Sequence, residues 1–217
     1  MMMNETLLQI ENLTIMQEEN ALFRNFTLSV ADKDRLGIFA PTGTGKTTLL
    51  NWIAGILPKA STAGGITITD GRLVKQEKLT VSYVFQEPRL IPSASVLKNV
   101  TLPVEKLYGK EEAEKKAAAI LERLFLKDKL DCMPEKLSGG EKQRVAIARA
   151  FAYPGKLLLM DEPFHSQDDE KRSLLIEITN ELIQKENRAL IIISHNKSDL
   201  EKLGCRIITE KDFICRD

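Results

Sequence analysis

Apolar residues occur along the chain in short blocks that alternate with longer stretches of mixed polarity. Two N-terminal runs, residues 7–15 and 22–30, carry β-compatible side chains on either side of a polar turn. Three later blocks are apolar almost throughout, which is typical of strands buried on both faces of a sheet. They are "DRLGIF" at residues 34–39, "KLLLMD" at residues 156–161 and "RALIIIS" at residues 188–194.

Helical patterns fill the segments between these strands. We predict helices at residues 46–56 and 110–126, from residue 140, and at residues 168–185. Shorter strands are predicted in "GGITITDG", "LTVSYVF" and "RIIT". No strand pattern occurs between residues 87 and 135. The alternation predicts a single α/β domain over residues 1–217, with a parallel sheet and a helical insertion at about residues 87–136.

Composition limits the cellular compartments and the classes of partner that we expect for this chain. The chain has 31 basic and 31 acidic side chains, so we expect no nucleic-acid partner. Cys132, Cys205 and Cys215 show no C-x-x-C spacing, which argues against a disulfide framework or a zinc site. No apolar run approaches the ~20 residues that span a bilayer, and the N-terminus lacks the zones of a signal peptide. We therefore expect a cytosolic protein.

The segment "APTGTGKTT" at residues 40–48 nearly matches the phosphate-binding pattern G-x-x-x-x-G-K-[ST]. It lies between a predicted strand and a predicted helix, as that pattern requires. Backbone N–H groups of such a loop bind phosphates, the lysine adds positive charge and the hydroxyl completes a Mg²⁺ shell. The predicted nucleotide-binding residues are Thr42, Gly43, Thr44, Gly45, Lys46, Thr47 and Thr48.

Ala40 replaces the first glycine of this pattern. A glycine is required there only if the backbone needs positive φ, because a Cβ is costly in that region. We expect Ala40 to have negative φ and to be tolerated. The competing interpretation of the segment is an ordinary glycine-rich turn at the start of a helix.

Polar residues also follow the carboxyl ends of other predicted strands. Asp161 and Glu162 end one apolar block, His195 ends the next, and Gln86 follows "VSYVF". Ligands of parallel sheets bind at the carboxyl ends of the strands, so these side chains are expected to converge near Lys46. An acidic turn before a helix, or a structural histidine, would leave the same pattern. His165 we take to be an incidental surface residue.

A second candidate anion site lies in "KLSGGEKQRVAIARA", residues 136–150. Ser138 and Glu141 match the S-x-x-E capping box of a helix start. Capping does not explain Gly139 and Gly140 between them. A Ser-Gly-Gly helix start exposes backbone N–H groups at the positive end of the helix dipole, where anions bind.

These motifs, in this order, resemble those of the nucleotide-binding subunit of ABC (ATP-binding cassette) transporters. The resemblance covers nearly all of the chain: the phosphate loop, Gln86, "LSGGEKQ", Asp161–Glu162, a loop ending in Asp168, and His195. It implies a P-loop NTPase fold with a mainly parallel sheet, an N-terminal antiparallel β subdomain and an inserted helical subdomain. It also implies an ATPase that uses ATP and Mg²⁺.

The resemblance assigns a role to each motif. Glu162 would be the general base, Asp161 and Thr47 would organise Mg²⁺, and His195 would hold the γ-phosphate. Gln86 would sense the γ-phosphate and Mg²⁺ and couple them to the helical insertion. Ser138, Gly139, Gly140 and Asp168 would act on the nucleotide of a second copy, packed head to tail, which makes a homodimer the expected assembly. The insertion would contact a membrane permease, placing the protein on the inner face of the cell membrane.

The chain departs from the family at three places. Ala40 is one, and "FHSQD" at residues 164–168 differs from the usual Ser-Ala-Leu-Asp-like loop. The third is the aromatic residue on which the family usually stacks the adenine. Phe23 is expected in the core, so Ile15 or Met16 would cover the adenine instead. We then expect weak recognition of the adenine, with ATP and GTP bound nearly equally. "VFQEPRLIP" at residues 84–92 is similar to importers of the nitrate, sulfonate and taurine type. A non-transport ABC ATPase with a soluble partner is the alternative.

Overall fold

The computed structural model describes residues 5–57 and 66–213, and in these residues eight strands form two sheets. The first sheet is antiparallel, with the order β2-β1-β4. Its strands are β1 (Thr6–Gln17), β2 (Asn20–Ala31) and β4 (Ile66–Lys75). The second sheet is parallel, with the order β5-β6-β7-β3-β8. Its strands are β5 (Val81–Val84), β6 (Leu157–Asp161), β7 (Ala189–Ile193), β3 (Arg35–Phe39) and β8 (Arg206–Thr209).

The antiparallel sheet matches the N-terminal β subdomain expected from the sequence. β1 and β2 are longer than the predicted runs and join through a turn in which Glu18 has φ 54°. The alternating buried and exposed positions of β2 show that one face of this sheet covers the core. The strand predicted in "GGITITDG" extends to ten residues as β4, because its whole length pairs with β1. The first two glycines of that motif, at positions 64 and 65, lie outside the described residues.

The parallel sheet confirms the predicted strands of continuous apolar sequence. Every residue of β6 and β7 is buried. Asp161 at the end of β6 pairs with Ile193 at the end of β7, so the polar residues after these strands reach the same edge. The loop after β3 opens at that edge as well, since β3 runs parallel to β7. The sheet order therefore determines where a ligand site can form.

Seven α-helices complete the described part of the fold. They are α1 (Lys46–Ala54), α2 (Val96–Thr101), α3 (Glu105–Tyr108), α4 (Lys110–Arg123), α5 (Gly139–Ala152), α6 (Asp169–Glu186) and α7 (Lys197–Lys202). Helices α2, α3 and α4 lie between β5 and β6, within the predicted insertion, and apolar residues of α2 and α4 pack with α5 in one core cluster.

Two helices end earlier than predicted, each at a residue with left-handed backbone conformation. α1 ends at Ala54 rather than residue 56, because Gly55 has φ 77° and closes the helix. α4 ends at Arg123 rather than residue 126, because Phe125 has φ 59°. Gly55 and Pro58 mark the end of the first helix in the sequence, and the structure places it at Gly55. Apolar periodicity continues past the end of α4, so the pattern did not mark that one.

The remaining expectations concern cysteines and membrane spans. Cys132 and Cys205 are free thiols in the described structure, and Cys215 lies outside it. No helix in residues 5–57 or 66–213 combines the length and apolar character needed to cross a bilayer.

Candidate functional site

A cavity of about 320 Å³ opens at the carboxyl edge of the parallel sheet. It brings together ten of the residues predicted from the sequence, with Gln17, Leu22 and Ile193 beside them. Its lining comprises Gln17, Leu22, Thr42, Gly43, Gly45, Lys46, Thr47, Thr48, Gln86, Asp161, Glu162, Ile193 and His195. Loop, carboxylates, glutamine and histidine therefore share one pocket, as the strand-end argument predicted.

The glycine loop leaves the first turn of α1 without a side-chain cap. Gly45 stands at the cap position with φ 83° and Gly43 has φ 85°, both in the region that favours glycine. A Cβ on Gly45 would come within 3.0 Å of Leu22 and Phe23. The backbone N–H groups at this helix start are thus directed at the cavity with no side chain competing for them.

Ala40 does not have positive φ, as expected from the sequence. Nine non-glycine residues of the described chain have positive φ, and Ala40 is not one of them. Its carbonyl oxygen accepts a hydrogen bond of 2.6 Å from Nζ of Lys46, and that of Pro41 accepts another of 2.5 Å. The substitution therefore leaves the loop path and its lysine contact in place.

Lys46 is the buried cation of the pocket, with 6% of its surface exposed. Burial lowers its pKa, while the carboxylates of Glu162 and Asp161 oppose that shift. The ammonium group contacts the loop carbonyls and is attracted by the negative charges of the two carboxylates. A nucleotide phosphate entering the loop would replace carbonyl oxygens by charged ones, which bind an ammonium group more strongly.

Asp161 and Thr47 form the oxygen pair expected to organise a cation. The Thr47 hydroxyl donates a hydrogen bond to the Asp161 carboxylate. Burial raises the pKa of Asp161, and Thr47 and Lys46 pull it back. Hard cations such as Mg²⁺ prefer oxygen ligands and keep several waters, so one carboxylate and one hydroxyl fit such an ion. Within residues 5–57 and 66–213 no cluster of three or more acidic, histidine or cysteine ligands occurs.

Glu162 sits in a strained turn directly after β6. Its φ is 46°, unusual for a non-glycine residue, and its N–H donates to the Ile193 carbonyl at 3.1 Å. Its Oε2 accepts a hydrogen bond of 3.3 Å from the backbone N–H of His195. The strained conformation thus fixes the carboxylate against the end of β7.

The second carboxylate oxygen of Glu162 is unsatisfied. Oε1 is buried and accepts no hydrogen bond, although Nε2 of His195 approaches within 3.2 Å. Burial raises the pKa of Glu162, and the nearby His195 opposes the rise. A buried acceptor of this kind can take a proton from a water molecule placed in the pocket.

Two predicted contacts are absent from this cavity. Thr44 does not line it, and its hydroxyl donates to the Pro41 carbonyl at 2.9 Å, which stabilises the loop. Ile15 is fully buried, so the expectation that it covers the adenine is wrong: it faces the core from β1. Met16 is half-buried and does not line the pocket either. Gln17 and Leu22 line it instead, which alternation along β1 and β2 alone could not reveal.

Phe23 is a core residue, as expected. It is fully buried, and its ring lies 4.6 Å from that of Phe213 and 5.2 Å from that of Phe26. No phenylalanine, tyrosine or tryptophan is among the described residues that line the nucleotide cavity.

The predicted second anion site forms a separate cavity of about 550 Å³. Its lining shares no described residue with the first cavity. It comprises Phe125, Ser138, Gly139, Gly140, Glu141, Arg144, Ser166, Gln167, Asp168 and Lys171. All four residues predicted to act in trans therefore lie together, away from the chain's own phosphate loop.

Ser138 caps α5 in a complete capping box. Its hydroxyl accepts from the Glu141 N–H at 3.2 Å, and Glu141 Oε2 accepts from the Ser138 N–H at 2.8 Å. Gly139 has open space where a Cβ would be, whereas a Cβ on Gly140 would meet Gln167 and the Ser166 carbonyl at 2.9 Å. Tight packing therefore accounts for the second glycine only.

Arg144 and Gln167 were not predicted, yet they organise this cavity. The Gln167 amide donates to the Gly140 carbonyl at 2.9 Å and accepts from Nη1 of Arg144 at 2.9 Å. Nε of Arg144 is buried and has no partner. The sequence feature that could have indicated Arg144 is its position about one turn into a helix that starts with Ser-Gly-Gly.

The loop between Glu162 and Asp168 contacts both cavities. His165 is exposed, as expected, but its Nδ1 lies 2.8 Å from the Glu162 carbonyl oxygen, so it is not incidental. Asp168 caps α6 by accepting from the Lys171 N–H at 3.0 Å.

Comparisons with known proteins agree with one another. The family model described as ABC transporter matches residues 23–165. The uncharacterised ABC transporter ATP-binding protein YvrO of Bacillus subtilis is 34% identical over 207 residues, covering 90% of this chain and 88% of that protein. The thiamine import ATP-binding protein ThiQ of Vibrio cholerae is 33% identical over 187 residues, covering 84% and 77%. The dimeric, post-hydrolysis structure of the ATP-binding cassette MJ0796 with ADP and Pi superposes with a TM-score of 0.81 at 27% identity, covering 97% of each chain.

Proposed function

Because the chain belongs to the ABC transporter family of ATP-binding cassettes, we propose that it is the ATPase subunit that drives a separate membrane permease by closing and reopening a head-to-tail dimer around ATP. The chain is an ATPase with the P-loop NTPase cassette fold, and ATP is its substrate. The roles of individual residues, the Mg²⁺ ion and the permease belong to the proposal.

Phosphate binding rests on the first cavity. The uncapped N–H groups of α1 and the ammonium group of Lys46 bind the β- and γ-phosphates, with Thr42, Gly43 and Thr48 lining the path. Asp161 and Thr47 would hold Mg²⁺ through their oxygen atoms and through water, and Gln86 lines the same cavity. When bound, the ion would supply positive charge against the negative charge that develops on the phosphate oxygens.

Hydrolysis rests on Glu162, and its unsatisfied buried oxygen is the observation that carries this assignment. Oε1 accepts a proton from a water molecule as the water oxygen attacks the γ-phosphorus in line with the leaving ADP oxygen. The burial that raises the pKa of Glu162 also makes the carboxylate a stronger base. His195, 3.2 Å from Oε1, donates to the γ-phosphate from the other side.

A dimer is needed because one chain supplies two incomplete sites. The first cavity has the base and the cation site. The second has the N–H groups at the start of α5, the cations Arg144 and Lys171, and two carboxylates that already accept capping hydrogen bonds, Glu141 and Asp168. Head-to-tail packing places Ser138, Gly139 and Gly140 of one copy over the γ-phosphate bound by the other. The dimeric form of the MJ0796 cassette supports this assembly. Both halves are intact here, so a homodimer has two working sites.

Coupling to the permease rests on the segment after Gln86. The Gln143 amide, on α5, donates to the Phe85 carbonyl at 3.1 Å. The Arg149 guanidinium, on the same helix, donates to the carbonyls of Pro88 at 2.8 Å and Arg89 at 3.0 Å. The segment that senses the γ-phosphate is therefore tied to the helix that starts at the trans site. We place the permease contact on the helical insertion, at the inner face of the membrane.

We further propose that the transporter imports a small solute. ThiQ is named for thiamine import, and residues 84–92 resemble importers of the nitrate, sulfonate and taurine type. Purification of the tagged chain from its native host in detergent tests the partner. A multi-span membrane protein should co-purify in stoichiometric amount, whereas only a soluble protein would favour the non-transport alternative.

The ATPase assignment is tested with Glu162→Gln, which keeps the shape and removes the base. Turnover should fall by a factor of about 10²–10⁴, the usual contribution of a general base. ATP binding should persist, and size-exclusion chromatography with ATP should detect a stable dimer. Glu170→Gln, a matched change in the exposed first turn of α6, should leave turnover unchanged. Normal hydrolysis by Glu162→Gln would contradict the assignment.

A further inference from the structure

Phe125 occupies a position that the fold alone would give to glycine. It follows α4, and the Leu126 N–H donates to the Leu121 carbonyl at 2.9 Å while the Phe125 N–H donates to the Glu122 carbonyl at 3.1 Å. These two bonds form the Schellman ending of a helix, in which the residue at the Phe125 position is left-handed and is usually glycine. Phe125 has φ 59°, which a bulky side chain rarely adopts.

Burial does not explain this phenylalanine either. Its neighbours Leu124 and Leu126 are fully buried, but Phe125 itself is 51% exposed. The ring thus contributes little to the core and costs backbone strain. A residue that opposes both local rules is expected where function requires it.

The ring stands beside the trans anion site. Phe125 lines the same cavity as Ser138, Gly139 and Gly140. That cavity also contains Arg144, which is 7% exposed and has a buried Nε without a partner. An unpaired buried guanidinium N–H points independently to an anionic ligand at this place. The ring is therefore next to a position for the phosphates of a nucleotide.

Among the described residues, no phenylalanine, tyrosine or tryptophan lines the nucleotide cavity of the same chain. Apart from the phosphate loop and the polar residues at the strand ends, its lining consists of Gln17, Leu22 and Ile193, and Phe23 is held in the core by Phe26 and Phe213. The one aromatic group among the described lining residues is the imidazole of His195, which lies 3.2 Å from the Glu162 carboxylate. A base bound there has none of the larger aromatic side chains among these residues to stack on.

We propose that Phe125 stacks on the purine base of the ATP held by the second copy of the chain, so that each base is recognised in trans. This rests on the head-to-tail dimer of the proposed function. Aromatic stacking is available to every base because each has a π face, so the contact favours ATP and GTP alike. Both copies then contact the base only in the closed dimer, so dimer closure depends on the presence of a base.

The test compares Phe125→Gly with the parent in a Glu162→Gln background, using ATP-dependent dimerisation by analytical ultracentrifugation. Glycine restores the preferred helix end, so the variant should fold. The ATP concentration for half-maximal dimerisation should rise about tenfold, within the range measured for loss of one base-stacking ring. Binding of a fluorescent ATP analogue to the dilute monomer should not change. Leu107→Ala, at an equally exposed apolar residue of α3, is the matched control and should behave as the parent.

Two further arms separate the explanations. With ribose 5-triphosphate, which has no base, Phe125→Gly and parent should dimerise at the same concentration. A defect that persists with that ligand would show that Phe125 contacts protein rather than the base and would overturn the proposal. Phe125→Trp should restore dimerisation and show fluorescence quenching by ATP. If Phe125→Gly dimerises at the same ATP concentration as the parent, the stacking role is refuted while the dimer itself stands. If the parent forms no ATP-dependent dimer, the proposed function itself is rejected.

Discussion

Helices α1 and α5 both begin at glycine-containing loops, yet the N–H groups of their first turns are treated differently. α1 has no side-chain cap, and Gly45 precedes it with φ 83°. α5 has a complete capping box, in which Ser138 and Glu141 satisfy each other's N–H groups. Each cavity has two carboxylates: Asp161 and Glu162 lie near the start of α1, whereas Glu141 and Asp168 at the second cavity accept the capping hydrogen bonds of α5 and α6. The N–H groups at the start of α1 therefore have no side-chain acceptor of their own, whereas the start of α5 is capped by its own side chains.

This difference separates binding from catalysis in one chain. In the proposed function, the cavity at α1 binds the phosphates and activates water. The cavity at α5 contributes N–H donors and cations, since its carboxylates Glu141 and Asp168 are engaged in helix caps. We expect changes at α1 to abolish nucleotide binding, and changes at α5 to leave binding and abolish turnover.

The largest effect is expected from Lys46→Ala. The buried ammonium group is the cation of the phosphate loop, and its loss leaves two acids beside an anionic ligand. ATP affinity of the monomer should fall by a factor of roughly 100, corresponding to about 2.7 kcal/mol. Isothermal titration calorimetry measures it, and Gly139→Asp serves as the comparison because it should bind ATP normally as a monomer. Equal loss in both variants would remove the distinction between the two helix starts.

Glu162→Gln should also raise thermal stability at neutral pH. Burial raises the pKa of Glu162 above its unfolded value, so the folded state is destabilised progressively as pH rises from the unfolded pKa, and the full effect is reached above the folded pKa. Removing that charge should raise Tm by a few degrees at pH 7.5. The difference should shrink as pH falls and disappear below about pH 4, where the carboxyl group is protonated in both states. A constant difference across pH, followed by calorimetry, would contradict this origin.

Ser138→Ala tests the cap of α5. Loss of the hydroxyl acceptor should cost about 1 kcal/mol of folding free energy in urea unfolding. ATP binding to the monomer should be unaffected, because this residue belongs to the other cavity. Thr44→Ala offers a contrast: its hydroxyl bonds the Pro41 carbonyl at an exposed position, so its loss should cost less stability. A larger loss in Thr44→Ala would reverse the comparison.

The smallest effect is expected from Ala40→Gly. Since Ala40 does not have positive φ, glycine gains nothing from its freedom there. ATP affinity should change less than about twofold, well within 0.5 kcal/mol. A large gain in affinity would show that the alanine distorts the loop.

Much of the fold followed from local patterns. Continuous apolar blocks identified β6 and β7, and the strand-end rule placed Asp161, Glu162 and His195 in one pocket. These predictions succeeded because burial on both faces and parallel order leave strong sequence signals. Helix ends were less accurate. Gly55 marks the end of α1 to within two residues, but Phe125 ends α4 through its backbone conformation, which apolar periodicity does not encode.

The parts that were missed depend on tertiary contacts. Gln17 and Leu22 line the pocket, while Ile15 does not, because the register between β1 and β2 decides which side chains reach it. Gln167 forms hydrogen bonds with both Gly140 and Arg144. Gln167 and Gly140 are 27 residues apart in the sequence, and no local pattern specifies such a contact. The strain at Glu162 likewise arises from the contact of its loop with β7.

A mixed-dimer experiment tests the composite site most directly. Lys46→Ala and Gly139→Asp are each expected to be inactive alone, and Gly139→Ala, whose Cβ meets nothing within 4 Å, controls for the added side chain. Mixed one to one, half of the dimers combine the two variants, and each such dimer has one intact composite site of two. Turnover should return to about a quarter of the parent value if copies exchange freely and the two sites act independently. No activity above that of the separate variants, with mixed dimers demonstrated by differential tags, would contradict a site built from two chains.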